Sequence, residues 1–530
     1  MRNSKISTQI ENAIEQTIRE AFQEKRIIFN PTSELLKELT SKEQGIRISK
    51  YNHIVTTSEP TSRAAKHTKN NIDNRFGQKE IRLLEQMISC LSKERLISTD
   101  YIVGNTTDNI TARLIVPERY AHIAYGGTKL FPQNYCIQNP THQVIMFFDE
   151  NFETNKSKPL PKKDITIRLV HKPDGKTIKV VRNSNYFGEF KKGVFAGEDW
   201  RVKQKKDGIF LHAGCRQDYL EMAHGGYERQ NSLFVALSAN GKTSTTCKVL
   251  ARKGREESWL IQDDGGTLTK EGSFKGFEAG GIFVKTEGIT PGDQREIYYG
   301  VLKPDSYLEN ICLNKNNEFD FYDANTTSNG RAVIRRQDFM HAHPEIDVEK
   351  INNLFIITRG PTIPAIAKLN PEQATAFMVL GQAEESSAGD PTQAGQIKNE
   401  FFYDPFMAGN KVNHANLFYE ILKSNQIECY LLNTGGIGSG ETYHDIKLED
   451  TMGILDSVLR GGLENWVESE GIGLEVPISI RTVDSILLHP KKLFNGKEFE
   501  KRESILEEQR KKTIEQYPSL DERIRSVFIK

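Results

Sequence analysis

The sequence predicts a two-lobed chain of the α/β class, in its mixed α+β form, and three observations carry that expectation. A length of 530 residues exceeds what one ordinary hydrophobic core sustains, so two lobes, or three at most, are expected. Residues 50 to 200 mix short β-like runs, such as Arg113-Leu-Ile-Val116 and Val144-Ile-Met-Phe-Phe148, with turns that include the Lys/Pro-rich stretch Lys156 to Lys163, the character of an α+β lobe. From Gly208 onward, apolar runs lead into Gly-rich turns: Leu233 to Leu237, Trp259 to Ile261, Leu354 to Thr358 and Cys429 to Leu432. Buried strands with phosphate-handling turns at their ends are what an α/β or mixed-sheet lobe requires. The expected lobes are therefore residues 1–207 and residues 208–530.

The helical elements follow from spacing. Ile6, Ile10, Ile14, Ile18 and Phe22 recur every fourth residue among charged neighbours, the pattern of an amphipathic helix packed by one stripe. The charged tail Lys491 to Arg525 reads as surface helix, including Glu498 to Lys512. No internal repeat or long low-complexity segment is evident. The 71 basic and 71 acidic side chains cancel, which leaves no global field for nucleic acid or an anionic membrane, so any phosphate binding must be local. Six cysteines without a C-x-x-C pair argue against a zinc knot and a disulfide framework and fit a reducing cytoplasm. The polar N-terminus and the lack of any stretch of about 18 apolar residues predict a soluble, cytoplasmic protein with no membrane span.

A phosphate-binding chemistry is legible in the second half. The run Leu233-Phe-Val-Ala-Leu237 enters Ser238-Ala-Asn-Gly-Lys-Thr243, after which Ser244-Thr-Thr-Cys-Lys248 can begin a helix. In a strand, loop and helix of this kind the backbone N–H groups of Ser238, Ala239, Asn240, Gly241 and Ser244 curl around phosphate oxygens. Lys242 reaches the outer phosphates and Thr243 holds Mg2+. The match to G-x-x-x-x-G-K-[ST] is imperfect, since Ala236 replaces the first glycine. Some twenty residues on, Trp259-Leu-Ile-Gln-Asp263-Asp264 ends an apolar run in two adjacent carboxylates. Both ionise comfortably only beside a cation, so Asp263 and Asp264 are candidate metal ligands; a solvated Asp-Asp-Gly-Gly turn is the plainer alternative.

Upstream, Tyr186-Phe-Gly-Glu-Phe-Lys-Lys192-Gly193 is followed by Ile209-Phe-Leu-His212-Ala-Gly214. The order of these motifs, then Leu-Ser-x-x-Gly-Lys-Thr, then Ile-x-Asp-Asp, resembles the ATP-dependent phosphoenolpyruvate carboxykinases. The resemblance continues through Phe277-Glu-Ala-Gly-Gly281 with Lys285, Glu296-Ile-Tyr298, Asn329-Gly-Arg331 and Asn433-Thr-Gly435 to Gly440, roughly Asn52 to Pro477. It implies a two-lobed carboxykinase fold with the phosphate loop in the C-terminal lobe, an active site in the interlobe cleft, and closure of the lobes to keep water from the enolate.

The resemblance also implies roles residue by residue. Lys192, His212 and Asp264 would bind Mn2+. A lysine ligates only as the free amine, and Lys191 beside Lys192, with the cation itself, would disfavour protonation. Arg63 would bind the substrate carboxylate, Tyr186 would lie over the enolate or CO2, and Lys285 and Arg331 would contact phosphate oxygens. The implied reaction turns oxaloacetate and ATP into phosphoenolpyruvate, ADP and CO2 by positioning and charge neutralisation, with Lys242 and Arg331 at the transferring group. Several positions depart from the family. Arg63 sits in Thr61-Ser-Arg-Ala-Ala-Lys66, a loose version of Gly-Arg-Ser-Pro-Lys; Ala236 and Ala239 replace preferred glycines; Ala332-Val-Ile-Arg335 replaces Val-Ser-Tyr-Pro. The segment near the adenosine, Asp445-Ile-Lys-Leu-Glu-Asp-Thr451, keeps Thr451 as a nucleotide contact but has Asp445 where the family has arginine. Two other readings share these motifs: a kinase acting on another small acid or a protein side chain, and a nucleotide-binding regulator without turnover. The oligomeric state is left open.

Overall fold

The computed structural model describes residues 2–58, 68–135, 139–148, 165–236, 240–252, 254–323, 329–384 and 396–529. Arg63, Ser238 and Ala239 lie outside the described residues. The chain forms two compact units. The first holds Met1–Lys206, Gly276–Met340 and Phe406–Gly409; the second holds Asp207–Lys275, His341–Pro405 and Asn410–Lys530. The chain thus leaves the first unit at Lys206, next to the expected boundary, but a single cut there does not describe its return over 276–340.

The first unit is built on a seven-stranded sheet. Its spatial order is Ile27–Phe29, Leu96–Ile102, Thr111–Pro117, His142–Phe147, Thr177–Arg182, Thr166–His171 and Thr68–Asn70. Ile145, Phe147, Ile178 and Val180 face the N-terminal helix Arg2–Gln23 and the helix Gln78–Ser89. Alternation along the strands turns Val144 and Lys179 the other way, against the helix Phe187–Lys205. Gly193 permits that approach, because a Cβ there would lie 2.8 Å from Val144 Cγ2 and 2.9 Å from Lys179 Cδ.

In the N-terminal helix Ile6, Ile10 and Ile14 are buried, whereas Phe22 is 64% exposed. A strict four-residue repeat drifts about 40° per step on a helix of 3.6 residues per turn, so the buried stripe passes to Thr17 and Ala21 instead. The return segment supplies a second, five-stranded sheet: Gly281–Lys285, Arg331–Arg335, Tyr307–Glu309, Ile54–Thr56 and Arg47–Ile48. The parallel pairing of Leu308 with Val55 ties residues 276–340 to the N-terminal part of the chain. Such a contact leaves no local trace in sequence.

The second unit centres on an eight-stranded mixed sheet ordered Glu257–Gln262, Ala213–Glu221, Tyr227–Val235, Asn353–Thr358, Glu428–Asn433, Ile366–Leu369, Glu475–Pro477 and Trp466–Glu468. Tyr227–Val235, Asn353–Thr358 and Glu428–Asn433 are mutually parallel and fully apolar in their inner halves, as strands covered on both faces must be. One core packs Phe234, Phe355, Ile357 and Leu432 against Ile454, Leu455 and Leu459 of the helix Leu448–Leu459. The tail forms the expected helix, Glu498–Glu515. Among the described residues no helix is long and apolar enough to cross a membrane.

Candidate functional site

Strand direction gathers the chemistry of the second unit at one end of its sheet. Carboxyl ends of parallel strands open a crevice that receives ligands, and the three parallel strands here run into Asn240–Thr243, Arg359-Gly360 and Thr434-Gly435. The strand Ala213–Glu221 is antiparallel to Tyr227–Val235, with Ala213 opposite Val235, so His212 sits at the same end. Glu257–Gln262 is antiparallel in turn, with Gln262 opposite Cys215, which delivers Asp263 and Asp264 beside His212.

The geometry there is close. Lys242 Nζ lies 2.5 Å and His212 Nε2 2.9 Å from the same Asp264 oxygen, Oδ1, and the Thr243 hydroxyl donates to Asp263 at 3.3 Å. The other ring nitrogen of His212, Nδ1, is 3.0 Å from the Tyr403 carbonyl. A carbonyl only accepts, so Nδ1 carries a proton, and Nε2 faces a carboxylate oxygen across a gap that needs a proton or a cation between them. That donor set, imidazole nitrogen with carboxylate and hydroxyl oxygens, suits a divalent ion such as Mn2+ or Mg2+. Among the described residues no three His, Cys, Asp or Glu side chains cluster as ligands; the expected set includes lysine and threonine.

Supporting residues explain why these side chains hold their places. Gly241 has φ +88° at the entry to the helix Lys242–Cys247, a left-handed turn suited to glycine. Gly214 lets that helix close on the sheet, since a Cβ would lie 2.5 Å from Thr246 Oγ1. Arg216, held by both oxygens of buried Asp218 at 2.7 Å, donates to the Thr245 carbonyl at 2.8 Å. Thr434 donates its hydroxyl to the Asn240 carbonyl at 2.9 Å. Phe402 and Tyr403 have φ of 56° and 53°, strained for bulky residues, and that strain aims the Tyr403 carbonyl at His212. Sequence reasoning missed Tyr403 and Arg216, which left no signal, and gave no role to Thr434 and Gly214, although both lie in the motifs Asn433-Thr-Gly435 and Ile209 to Gly214. Thr451 is buried in the first turn of the helix Leu448–Leu459, its hydroxyl bonded to the Lys447 carbonyl at 3.3 Å. Asp445 is exposed in the short strand His444–Asp445, which pairs with Gly436–Ile437.

In the first unit, Tyr186 and Lys192 belong to one arrangement. Lys192 Nζ stands 5.4 Å from the centre of the Tyr186 ring and 2.8 Å from Glu189. Gly188 leaves room for that ring, because a Cβ there would fall 2.4 Å from it. Lys191, expected to repel its neighbour, is turned away on the helix and pairs with Glu278 at 2.7 Å. Glu189 also receives Lys179 at 2.9 Å. Burial pushes the Glu189 carboxyl up, but the Lys179 and Lys192 ammonium groups prevail and hold it at about 2. Lys285 and Arg331 face each other across adjacent antiparallel strands, with Arg331 bonded to the Gly330 carbonyl at 2.9 Å and 3.6 Å from Glu287.

The phosphoenolpyruvate carboxykinase family model matches residues 8–486. Similar proteins include the phosphoenolpyruvate carboxykinase (ATP) of Christiangramia forsetii, 28% identical over 60% of this chain and 58% of that protein. That of Aeropyrum pernix is 23% identical over 96% of this chain and 99% of its own length; that of Allorhizobium ampelinum is 25% identical over 79% and 76%. With nearly the whole chain matched, and with its ordered motifs at the strand ends of one sheet and on one helix of the other unit, this protein belongs to the ATP-dependent phosphoenolpyruvate carboxykinase family.

Proposed function

We propose that this chain converts oxaloacetate and ATP to phosphoenolpyruvate, ADP and CO2. The observation that best supports the reading is the meeting of His212 and Lys242 on one Asp264 oxygen at the carboxyl end of three parallel strands, in a chain whose family implies ATP and a divalent metal. In the reaction a carbon–carbon bond of oxaloacetate breaks to release CO2, its electron pair remains as an enolate, and the enolate oxygen displaces ADP from the γ-phosphorus. Phosphoryl transfer of this kind depends on in-line placement and charge neutralisation, with little covalent work for the protein.

The residues divide that work. Lys242 neutralises the transferring phosphoryl oxygens, and the N–H groups of Asn240, Gly241 and Ser244, with those of Ser238 and Ala239, cradle the triphosphate. His212 and Asp264 would hold Mn2+, and Thr243 with Asp263 would hold Mg2+. When bound, such cations neutralise developing charge on oxygen. Lys192, the third expected ligand, is the ion-pair partner of Glu189 in its own unit, and ligation as a free amine requires it to give up that pair. Tyr186, Lys285 and Arg331, with Arg63, are the proposed contacts of the first unit for substrate and phosphate; Thr451 is the proposed nucleoside contact. A cytoplasmic setting accompanies the proposal, supported by the free thiols Cys90, Cys215, Cys247, Cys312 and Cys429.

The deciding experiment incubates pure protein with oxaloacetate, Mn2+ and either ATP or GTP. The expected result is ADP and phosphoenolpyruvate in equal amounts, with ATP preferred. ADP release that ignores oxaloacetate would mean transfer of the phosphoryl group to water or to the protein itself, and would count against the carboxykinase reading.

A further inference from the structure

Arg359 directly follows the strand Asn353–Thr358, the middle one of the three parallel strands. Ile356 pairs with Val235 on one side and Thr358 with Asn433 on the other, so Arg359 emerges between the chain that leads to Asn240–Thr243 and the turn Thr434-Gly435. Thr434 stitches these ends together: its N–H donates to the Thr358 carbonyl at 3.1 Å and its hydroxyl to the Asn240 carbonyl at 2.9 Å. The arginine side chain runs beside Gly435, where a Cβ would lie 3.1 Å from Arg359 Cγ. Its Nε is buried without a hydrogen-bond partner among the described residues, and none of their carboxylates forms an ion pair with it. Lys242, by contrast, has Asp264.

A buried Nε–H of a half-buried guanidinium that the described residues leave unmatched is suited to an anion from outside. Its planar fork fits two oxygens of a phosphate at once. The position makes a triphosphate the anion within reach, because Asn240, whose carbonyl Thr434 fixes, opens the Asn-Gly-Lys-Thr segment. The hairpin on the far side of Gly435 carries Asp445, at a position where the family has arginine, and the Ile446 N–H that follows it bonds the Gly435 carbonyl at 2.8 Å. We infer that Arg359 binds the nucleotide, donating to β- or γ-phosphate oxygens of the triphosphate held at Asn240–Thr243. The inference rests on the reading of that segment as the phosphate site, and its test separates the two.

Calorimetric titration of the full chain with ATP and with AMP, in the presence of Mg2+, compares wild type, Arg359→Ala, Arg359→Lys and Lys242→Ala. Arg359→Ala is expected to weaken ATP binding about 10- to 100-fold while changing AMP binding less than about twofold, with Arg359→Lys in between because it keeps charge without the fork. ATP binding at wild-type strength in Arg359→Ala, beside a loss in Lys242→Ala, overturns the role of Arg359 and leaves the phosphate site standing. Wild-type ATP binding in both variants overturns the phosphate site and the inference with it. Equal losses of ATP and AMP in Arg359→Ala assign the residue to packing and also overturn the inference. Should Arg359→Ala not fold, the ATP-to-AMP ratio of Arg359→Lys decides, and a ratio equal to wild type counts against it.

Discussion

Glu189 in the first unit and Asp264 in the second are built on one plan, a carboxylate between two nitrogen-bearing side chains, and they differ in depth. Glu189 takes Lys179 on one oxygen and Lys192 on the other, and the side chains of Glu189 and Lys179 are only 3% and 6% exposed. Asp264 crowds Lys242 and His212 onto a single oxygen and is itself 24% exposed. Desolvated charges hold one another because separation would strand them, whereas a partly open carboxylate exchanges its partners for a ligand at little expense. Depth therefore separates a cluster that braces a helix against a sheet from one open to a ligand, and Lys192, at 35% exposure, marks the open edge of the first.

The comparison breaks most visibly through its two lysine-bearing partners. Lys242→Ala is expected to lower turnover about 1,000-fold by removing charge where the phosphoryl group transfers, with a thermal midpoint close to wild type. Glu189→Gln is expected to lower unfolding free energy by about 3 kcal/mol, since it leaves Lys179 buried and uncompensated; urea denaturation measures it. If Lys242→Ala unfolds the protein and Glu189→Gln only slows turnover, depth is not what distinguishes the clusters.

His212→Ala is the next step down. Loss of an imidazole whose tautomer the Tyr403 carbonyl fixes is expected to raise the Mn2+ needed for half-maximal activity about 10- to 100-fold. An unchanged metal titration would remove His212 from the donor set.

The legible and illegible parts of this molecule divide along the same physical line. Strand, turn and helix around Leu233 to Lys248, the apolar run into Asp263-Asp264 and the Tyr-x-Gly spacing are local, and each local feature constrains its own backbone. The return of residues 276–340 to the first unit depends on Leu308 pairing with Val55, and the aim of the Tyr403 carbonyl depends on backbone strain. Arg359 depends on which strand lies between which. These follow from register across hundreds of residues, which composition and periodicity do not encode. The glutamate partners of Lys191 and Lys192 were illegible for a related reason: consecutive helix residues point about 100° apart, and each lysine meets its own glutamate, Glu278 and Glu189.

Glu309 sharpens the comparison with the smallest effect. It is as buried as Glu189, but it accepts the Phe187 N–H at 3.1 Å where Glu189 holds two ammonium groups. Burial lifts its carboxyl from the ordinary 4.5 to about 7, against the more distant attraction of His122 and Arg331. His122 is itself held up at about 9: burial would lower it, and the Glu43 carboxylate 2.6 Å away outweighs burial. Between about pH 4.5 and 7 the folded state therefore binds more protons at Glu309 than the unfolded state, and stability falls as pH rises through that window, by at most about 1.4 kcal/mol per pH unit. For Glu189, with its pKa depressed to about 2, the sign reverses: its contribution is present above about pH 4.5 and is lost as pH falls towards 2. Urea midpoints of wild type and Glu309→Gln across pH 5 to 7 are expected to differ in slope, the variant lacking the decline that Glu309 causes. Equal slopes would mean that the carboxylate is already ionised at pH 5, and that cations nearby, and not depth alone, set its charge as they set that of Glu189.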